Sequence, residues 1–212
     1  MATKEQKKED LKRSIIEASR AYSSELAGKT FLYVYGQDYF EVIFPTDRFL
    51  HLTGVETNLR AKDFYSKAKN GILDSKQFYF TKSHPIRDVK KKLKCLCNLY
   101  ELTNTMVCIV KNLATITLTY AIGITNLEFT LGLTEDLKKT YGKKSVFLPR
   151  TLRIKDKAID ISADGDIVDF IFKKDTSTEL YNNLMFKDPN KRIPEAVYSL
   201  IDKSLLNESN MK

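Results

Sequence analysis

The spacing of apolar positions divides the chain into helical and strand-like stretches before any single residue is considered. Leu11, Ile15, Ala18, Tyr22 and Leu26 recur every three to four residues, which predicts a helix capped by Thr3 and running to about Ala27, with Gly28 as its stop. Thr30 to Tyr35 and Tyr39 to Phe44 are β-rich runs around Gly36-Gln37-Asp38 and predict a hairpin. Pro45 ends the second strand, and Pro45-Thr46-Asp47 can start a helical turn carrying Phe49, Leu50 and Leu52 before Gly54 breaks it. Residues 60 to 70 predict a helix stopped by Gly71, and Asp74-Ser75 a short one through Phe78.

Pro85 suits the first turn of a helix from about 85 to 101 with Ile86, Val89, Leu93, Leu96 and Tyr100 inward. Three strand-like runs follow, at Met106–Lys111, Ala114–Ile122 and Leu127–Leu133. Asn112-Leu113 and Gly123-Ile124-Thr125-Asn126 read as tight connections of an antiparallel meander, and Thr115, Thr117 and Thr119 form a hydroxyl ladder on one strand face. Glu135 to Lys144 reads as a charged turn or loop. Ser145–Pro149 and Ile167–Phe172 are further strands, around a turn at Asp164-Gly165-Asp166. Beyond Lys173 the sequence turns polar, with a weak amphipathic helix at about 194 to 206. The pattern predicts an α+β fold: residues 1–175 as one domain of helices packed on one mainly antiparallel sheet, and 176–212 as a polar, partly helical extension.

Composition narrows this little but usefully. The 212 residues suffice for one core with a small appendage, and 42% hydrophobic content with 11 Tyr and 12 Phe excludes a disordered chain. A formal net charge of +8 attracts polyanions, so RNA or a ribonucleoprotein is the first partner to consider; the plain alternative is a basic surface kept for solubility. The densest basic surface is the predicted helix with Arg87, Lys90, Lys91, Lys92 and Lys94, which can grip phosphates or be a solvated face. Three cysteines, an odd number on apolar stretches, read as packed thiols and not as a disulfide framework. The charged N-terminus lacks the apolar run of a signal peptide, and no stretch approaches the ~18 apolar residues of a membrane helix, so the expected location is the cytoplasm, without membrane association.

Candidate chemistry is sparse. The chain has two histidines, His51 beside the Gly54 break and His84 before Pro85. Histidine titrates nearest neutrality, so these are the natural acid–base candidates, His51 being the better placed; packing is the bland reading of each. Asp160, Asp164, Asp166 and Asp169 are the closest approach to a carboxylate cluster but lack the spacing of a calcium loop, so no metal site and no cofactor are expected. No G-x-G-x-x-G, G-K-[ST] or G-x-S-x-G motif occurs. Metal-free cleavage of RNA, which needs a base, an acid and cations around the phosphate, fits the residues available.

The run Tyr39-Phe-Glu-Val-Ile-Phe44, then Phe49-Leu-His-Leu-Thr-Gly-Val55, then Ala61-Lys-Asp-Phe-Tyr65 and Lys69-Asn-Gly71, resembles the fourth subgroup of the phage-associated Barnase-EndoU-Colicin-RelE-like (BECR) nuclease domains. Val110-Lys111, Ala121-Ile-Gly123 and Thr130-Leu-Gly132 extend the resemblance over about residues 25 to 155. It implies helices on one antiparallel sheet, an origin in a phage or mobile element acting inside a bacterial host, and a metal-independent ribonuclease or toxin-like activity proceeding by transesterification. It further implies catalytic roles for His51 and Thr53, with Lys111 and Thr119 as phosphate or transition-state contacts. Two other readings stand beside it. One is a catalytically silent BECR-like scaffold that binds and blocks a host defence protein or ribonucleoprotein; the other is a basic RNA-binding module without turnover.

Overall fold

The computed structural model describes residues 3–114, 119–140, 145–154 and 165–209; for residues 4, 112–114, 119–121 and 207–209 the description is of the backbone alone. Helix α1 (Lys4–Glu25) opens on a reciprocal cap: Gln6 N donates to Thr3 Oγ1 at 3.2 Å, and Thr3 N donates to Gln6 Oε1 at 2.9 Å. Its expected stripe, Leu11, Ile15, Ala18, Tyr22 and Leu26, is buried. Gly28 follows in the left-handed region that glycine adopts without a Cβ clash. The hairpin β1 (Lys29–Tyr35) and β2 (Asp38–Ile43) pairs Tyr35 with Asp38 across the Gly36 turn.

The remaining elements are α2 (Phe49–Thr53), α3 (Ala61–Lys69), α4 (Ile86–Cys97), β3 (Cys108–Ala114), β4 (Thr119–Thr125), β5 (Phe129–Glu135), β6 (Val146–Ile154), β7 (Asp166–Ile167), β8 (Phe170–Asp175), β9 (Asn183–Lys187) and α5 (Lys203–Ser209). Nine strands form one sheet in the order β7-β3-β4-β5-β6-β2-β1-β8-β9. Every pairing is antiparallel except β2 with β6. The expected α+β class with a mainly antiparallel sheet is therefore observed.

The sheet curls back on itself. Only Val168 and Asp169 separate β7, which pairs with β3, from β8, which pairs with β1. Val168 N donates to Val107 O and Asp169 N to Val34 O, so those two residues tie both ends of the curl together. Inside, Phe31, Tyr33, Phe40, Ile109, Leu131 and Leu152 meet the apolar faces of α1 to α4. Tyr33 stacks on Phe40 and its hydroxyl donates to Leu102 O at 3.0 Å, satisfying a polar atom that is otherwise fully buried. The three cysteines are free and half-buried; burial pushes the Cys97 thiol up to about 11.

Three expectations need correction. Asn112 and Leu113 belong to β3, and Gly123, Ile124 and Thr125 to β4, because the glycines do not interrupt the ladders: Gly123 pairs with Val110 on one side and Gly132 on the other. The β4–β5 turn falls at Asn126–Glu128, where Asn126 Oδ1 accepts from Glu128 N and Phe129 N and Leu127 takes a left-handed φ of 72°. The expected helix at 85 to 101 stops at Cys97, and a 3-10 turn, Leu99–Thr103, continues beyond Asn98.

The third concerns the C-terminal stretch. The boundary expected after residue 175 lies between β8 and β9, which are paired neighbours. The expected helix over 194 to 206 is replaced by a 3-10 turn, Glu195–Val197, and then α5. Ile193, Val197, Ile201 and Leu205 recur every four residues, the spacing behind the expected helix, and together with Tyr181 they are buried against Leu32, Val34, Phe170 and Phe172. They cover the face of β1 and β8 opposite the helices, which is why β1 is buried on both sides. Among the described residues, no helix is long and apolar enough to cross a membrane.

Candidate functional site

Pro45 closes β2, a 3-10 turn follows at Thr46–Arg48, and α2 runs directly from it. Phe49 and Leu52 are fully buried; the Phe49 ring packs edge-on to Tyr22 at 5.5 Å and Tyr65 at 5.4 Å. With two inward anchors fixing a five-residue helix, the residue between them faces outward, and His51 is exposed. Gly54, at φ 74°, ends the helix in the left-handed conformation. The Phe49–Val55 stretch is thus a rigid platform with one histidine on its outer surface.

Desolvation by the surrounding protein, and then the positive charges of Arg150 and Arg48, push the His51 imidazolium below the ordinary histidine value; Asp47 and Glu56 oppose this with smaller effects. At neutral pH His51 is therefore a neutral imidazole, able to accept a proton. Glu56 also faces the second histidine: His84 Nδ1 lies 3.7 Å from Glu56 Oε1. That approach is fixed by the backbone, since Glu56 and Tyr79 exchange N–H···O bonds of 3.0 and 2.9 Å and carry the loop bearing His84 up to α2. The charge of Glu56 thus acts on His51 while its carboxylate approaches His84. Two arginines act on His51 with positive charge.

Helix α2, α4 and β6 pack on one another pairwise. Through that contact α4 brings Lys92 against the end of α2: a Cβ built on Gly54 would lie 3.1 Å from Lys92 Cδ and 3.5 Å from Nζ. Burial, and then the charge of Arg153 on β6, lower the Lys92 ammonium below the ordinary lysine value, Asp88 opposing.

The other expected site residues are distributed differently. Thr53 is fully buried; its hydroxyl donates to Leu50 O at 2.7 Å and accepts from Val55 N at 3.2 Å, so it fastens the end of α2 from inside. Lys111 sits at the β1–β2 hairpin end of the curl, 2.7 Å from Asp166 Oδ2, with its ammonium 5.2 Å from the Tyr35 ring centroid. It is not among the charges acting on His51. Thr119 pairs with Ala114 at the start of β4, while Thr115 and Thr117 lie outside the described residues. Arg87, Lys90, Lys91 and Lys94 are all exposed, and their spacing puts them on one face of α4.

Three cavities accompany these features, none lined by His51. One of about 570 Å³ runs between α1 and α4 beside Glu17, Arg87, Lys90, Lys91 and Lys94; another of about 570 Å³ shares Lys91 and Lys94 with Leu127 and Phe129. The third, of about 480 Å³, holds Tyr35, Lys111, Asp166 and Asp169. The hollows and the acid–base residues do not coincide.

Of the expected carboxylate group, Asp160 and Asp164 lie outside the described residues. Asp166 pairs with Lys111, and Asp169 accepts from Gly36 N at 2.7 Å and lies 3.7 Å from Lys191. Among the described residues, no group of three or more His, Cys, Asp or Glu could hold a metal ion. Sequence reasoning missed Arg48, Glu56, Arg150 and the pairing of His84, and it named Lys92 only as one of the basic residues of the α4 helix. Arg48 was discoverable, three residues before His51 on the same helical turn; Arg150 and Lys92 come together with it only through packing.

A family model described as phage-Barnase-EndoU-ColicinE5/D-RelE like nuclease4 matches residues 14–189. No curated protein and no solved structure matches the chain.

Proposed function

Because the chain belongs to this phage-associated Barnase-EndoU-ColicinE5/D-RelE-like nuclease family, we propose that it is a metal-independent ribonuclease whose working face is His51, Glu56 and His84 with Arg48 and Arg150. The observation that carries the reading is the approach of His84 to Glu56 at 3.7 Å, together with an exposed His51 on which the charges of Glu56, Arg48 and Arg150 act. In the reaction, neutral His51 takes the proton of a ribose 2′-hydroxyl, and the 2′-oxygen attacks the adjacent phosphorus. The bond from phosphorus to the 5′-oxygen breaks, that oxygen takes a proton from His84, which lies 3.7 Å from Glu56, and a 2′,3′-cyclic phosphate remains. Arg48 and Arg150 offset charge developing on the nonbridging oxygens. The exposed row Arg87, Lys90, Lys91 and Lys94 binds the flanking RNA backbone. Thr53 acts by holding α2, and Lys111, paired with Asp166, lies outside this face.

The test is cleavage of tRNA and total RNA by the full chain in EDTA, with the ends of the products identified. Cyclic or 3′-phosphate ends, lost in His51→Ala and in His84→Ala, are expected. RNA left intact by folded wild type, or undiminished cleavage by His51→Ala, refutes the reading; binding without cleavage assigns the chain to a module without turnover.

A further inference from the structure

Lys92 carries an unbalanced charge. It is half-buried with its stem along bare Gly54, and among the described residues its ammonium has neither a hydrogen-bond nor an ion-pair partner. Asp88, the acid whose charge acts on Lys92, is engaged by Arg87 at 3.3 Å, and the other charge acting on Lys92 is the repelling Arg153. Taking a cation partly out of water beside another cation is unfavourable unless an anion is supplied. Bare Gly54 makes room for the Lys92 stem, since a Cβ there would lie 3.1 Å from Cδ, and its left-handed φ independently restricts the position to glycine. The same α2 that presents His51 on its outer surface therefore ends against an unneutralised lysine.

We propose that Lys92 and the Gly54 turn form an anion subsite for a phosphate group of the RNA backbone, an inference that rests on the nuclease reading of the His51 face. The glycine lets the Lys92 stem lie against the end of α2, so the ammonium is carried beside the platform that bears His51. A purely structural Lys92, serving only to pack its stem on Gly54, would be replaceable by methionine.

The experiment titrates nitrogen-labelled full-length protein with inorganic phosphate at low ionic strength, following the Gly54 amide and the His51 ring, for wild type, Lys92→Met and Lys92→Arg. Lys92→Met keeps the stem; melting curves confirm that each variant is folded. Saturable shifts at Gly54 in wild type are expected, weakened about tenfold or more in Lys92→Met, as loss of a charge-assisted bond implies, and largely kept in Lys92→Arg. Equal phosphate affinity in folded wild type and Lys92→Met overturns the subsite, as does the absence of any shift at Gly54. The two readings fail separately. Phosphate binding at Gly54 that depends on Lys92 in a protein that cuts no RNA leaves the subsite standing without the nuclease; RNA cleavage with Lys92-independent phosphate binding does the reverse.

Discussion

Replacing Thr53 by valine distinguishes a catalytic hydroxyl from a structural one. The side chain is fully buried, and its single oxygen serves two buried backbone groups, donating to Leu50 O at 2.7 Å and accepting from Val55 N at 3.2 Å. Valine is nearly isosteric, so little cavity forms, but the Val55 N–H loses its acceptor in a place water does not reach. An unsatisfied buried donor costs about 1–3 kcal/mol; at about 2 kcal/mol, a chain of this size loses about 4–8 °C in Tm. Thr53→Ser keeps the oxygen and deletes one methyl, for about 1 kcal/mol and about 2–4 °C. Differential scanning calorimetry gives the order wild type, serine, valine. RNA cleavage measured well below the lowest melting point should be the same in all three. A valine variant that melts with wild type, or one that is folded but inactive, would refute the reasoning and return Thr53 to the chemistry.

Cleavage by His51 as a base should fall as pH drops through its folded pKa, which lies below the ordinary value of about 6.5, since protonated imidazole cannot accept the 2′-proton. Arg150→Gln removes a cation and should move that acid limb to higher pH, and Glu56→Gln should move it lower; pH–rate profiles that fail to shift in opposite directions would contradict the charge assignments. Replacing Arg87, Lys90, Lys91 and Lys94 together by glutamine should make the slope of log affinity against log salt for single-stranded RNA shallower by about 3 if each meets one phosphate, and an unchanged slope would mark the row as a solvated face. Truncation after Asp175 removes Tyr181, Ile193, Val197, Ile201 and Leu205, each worth about 1.5–3 kcal/mol of burial and together comparable with the whole stability of a domain. The shortened chain should lack a cooperative melting transition; a sharp one near the wild-type Tm would mean that the second core is dispensable.

Local order was legible wherever one period ruled a segment. The stripe from Leu11 to Leu26, the Thr3 cap, the hairpin around Gly36 and the short platform from Phe49 to Gly54 follow from spacing and from residues whose backbone preferences act within a few positions. The family was legible too, because its motifs are runs of neighbours. Where a strand's glycines pair with glycine across the sheet, as Gly123 does with Gly132, the signal for a turn and the signal for a close-packed ladder are the same letter, and the sequence alone favours the turn. Beyond residue 175, Ile193, Val197, Ile201 and Leu205 recur every four residues, which favours one helix, yet they are buried from a 3-10 turn, a short helix and the chain between them, because the hydrophobic effect depends on area and not on the element that carries the side chain.

The candidate site divides along the same line. Sequence alone marked His51, since a histidine before a helix-ending glycine is a local pattern, and it marked the row on α4 by its periodicity. Only tertiary structure could bring the charges of Arg150 from β6 and Glu56 to bear on that histidine, seat Lys92 from α4 against Gly54, bring His84 to Glu56, and remove Thr53 to the interior and Lys111 to its pairing with Asp166. Charge acts through distance in space, and the separations that matter here are set by how α2, α4 and β6 pack, which no spacing along the chain encodes.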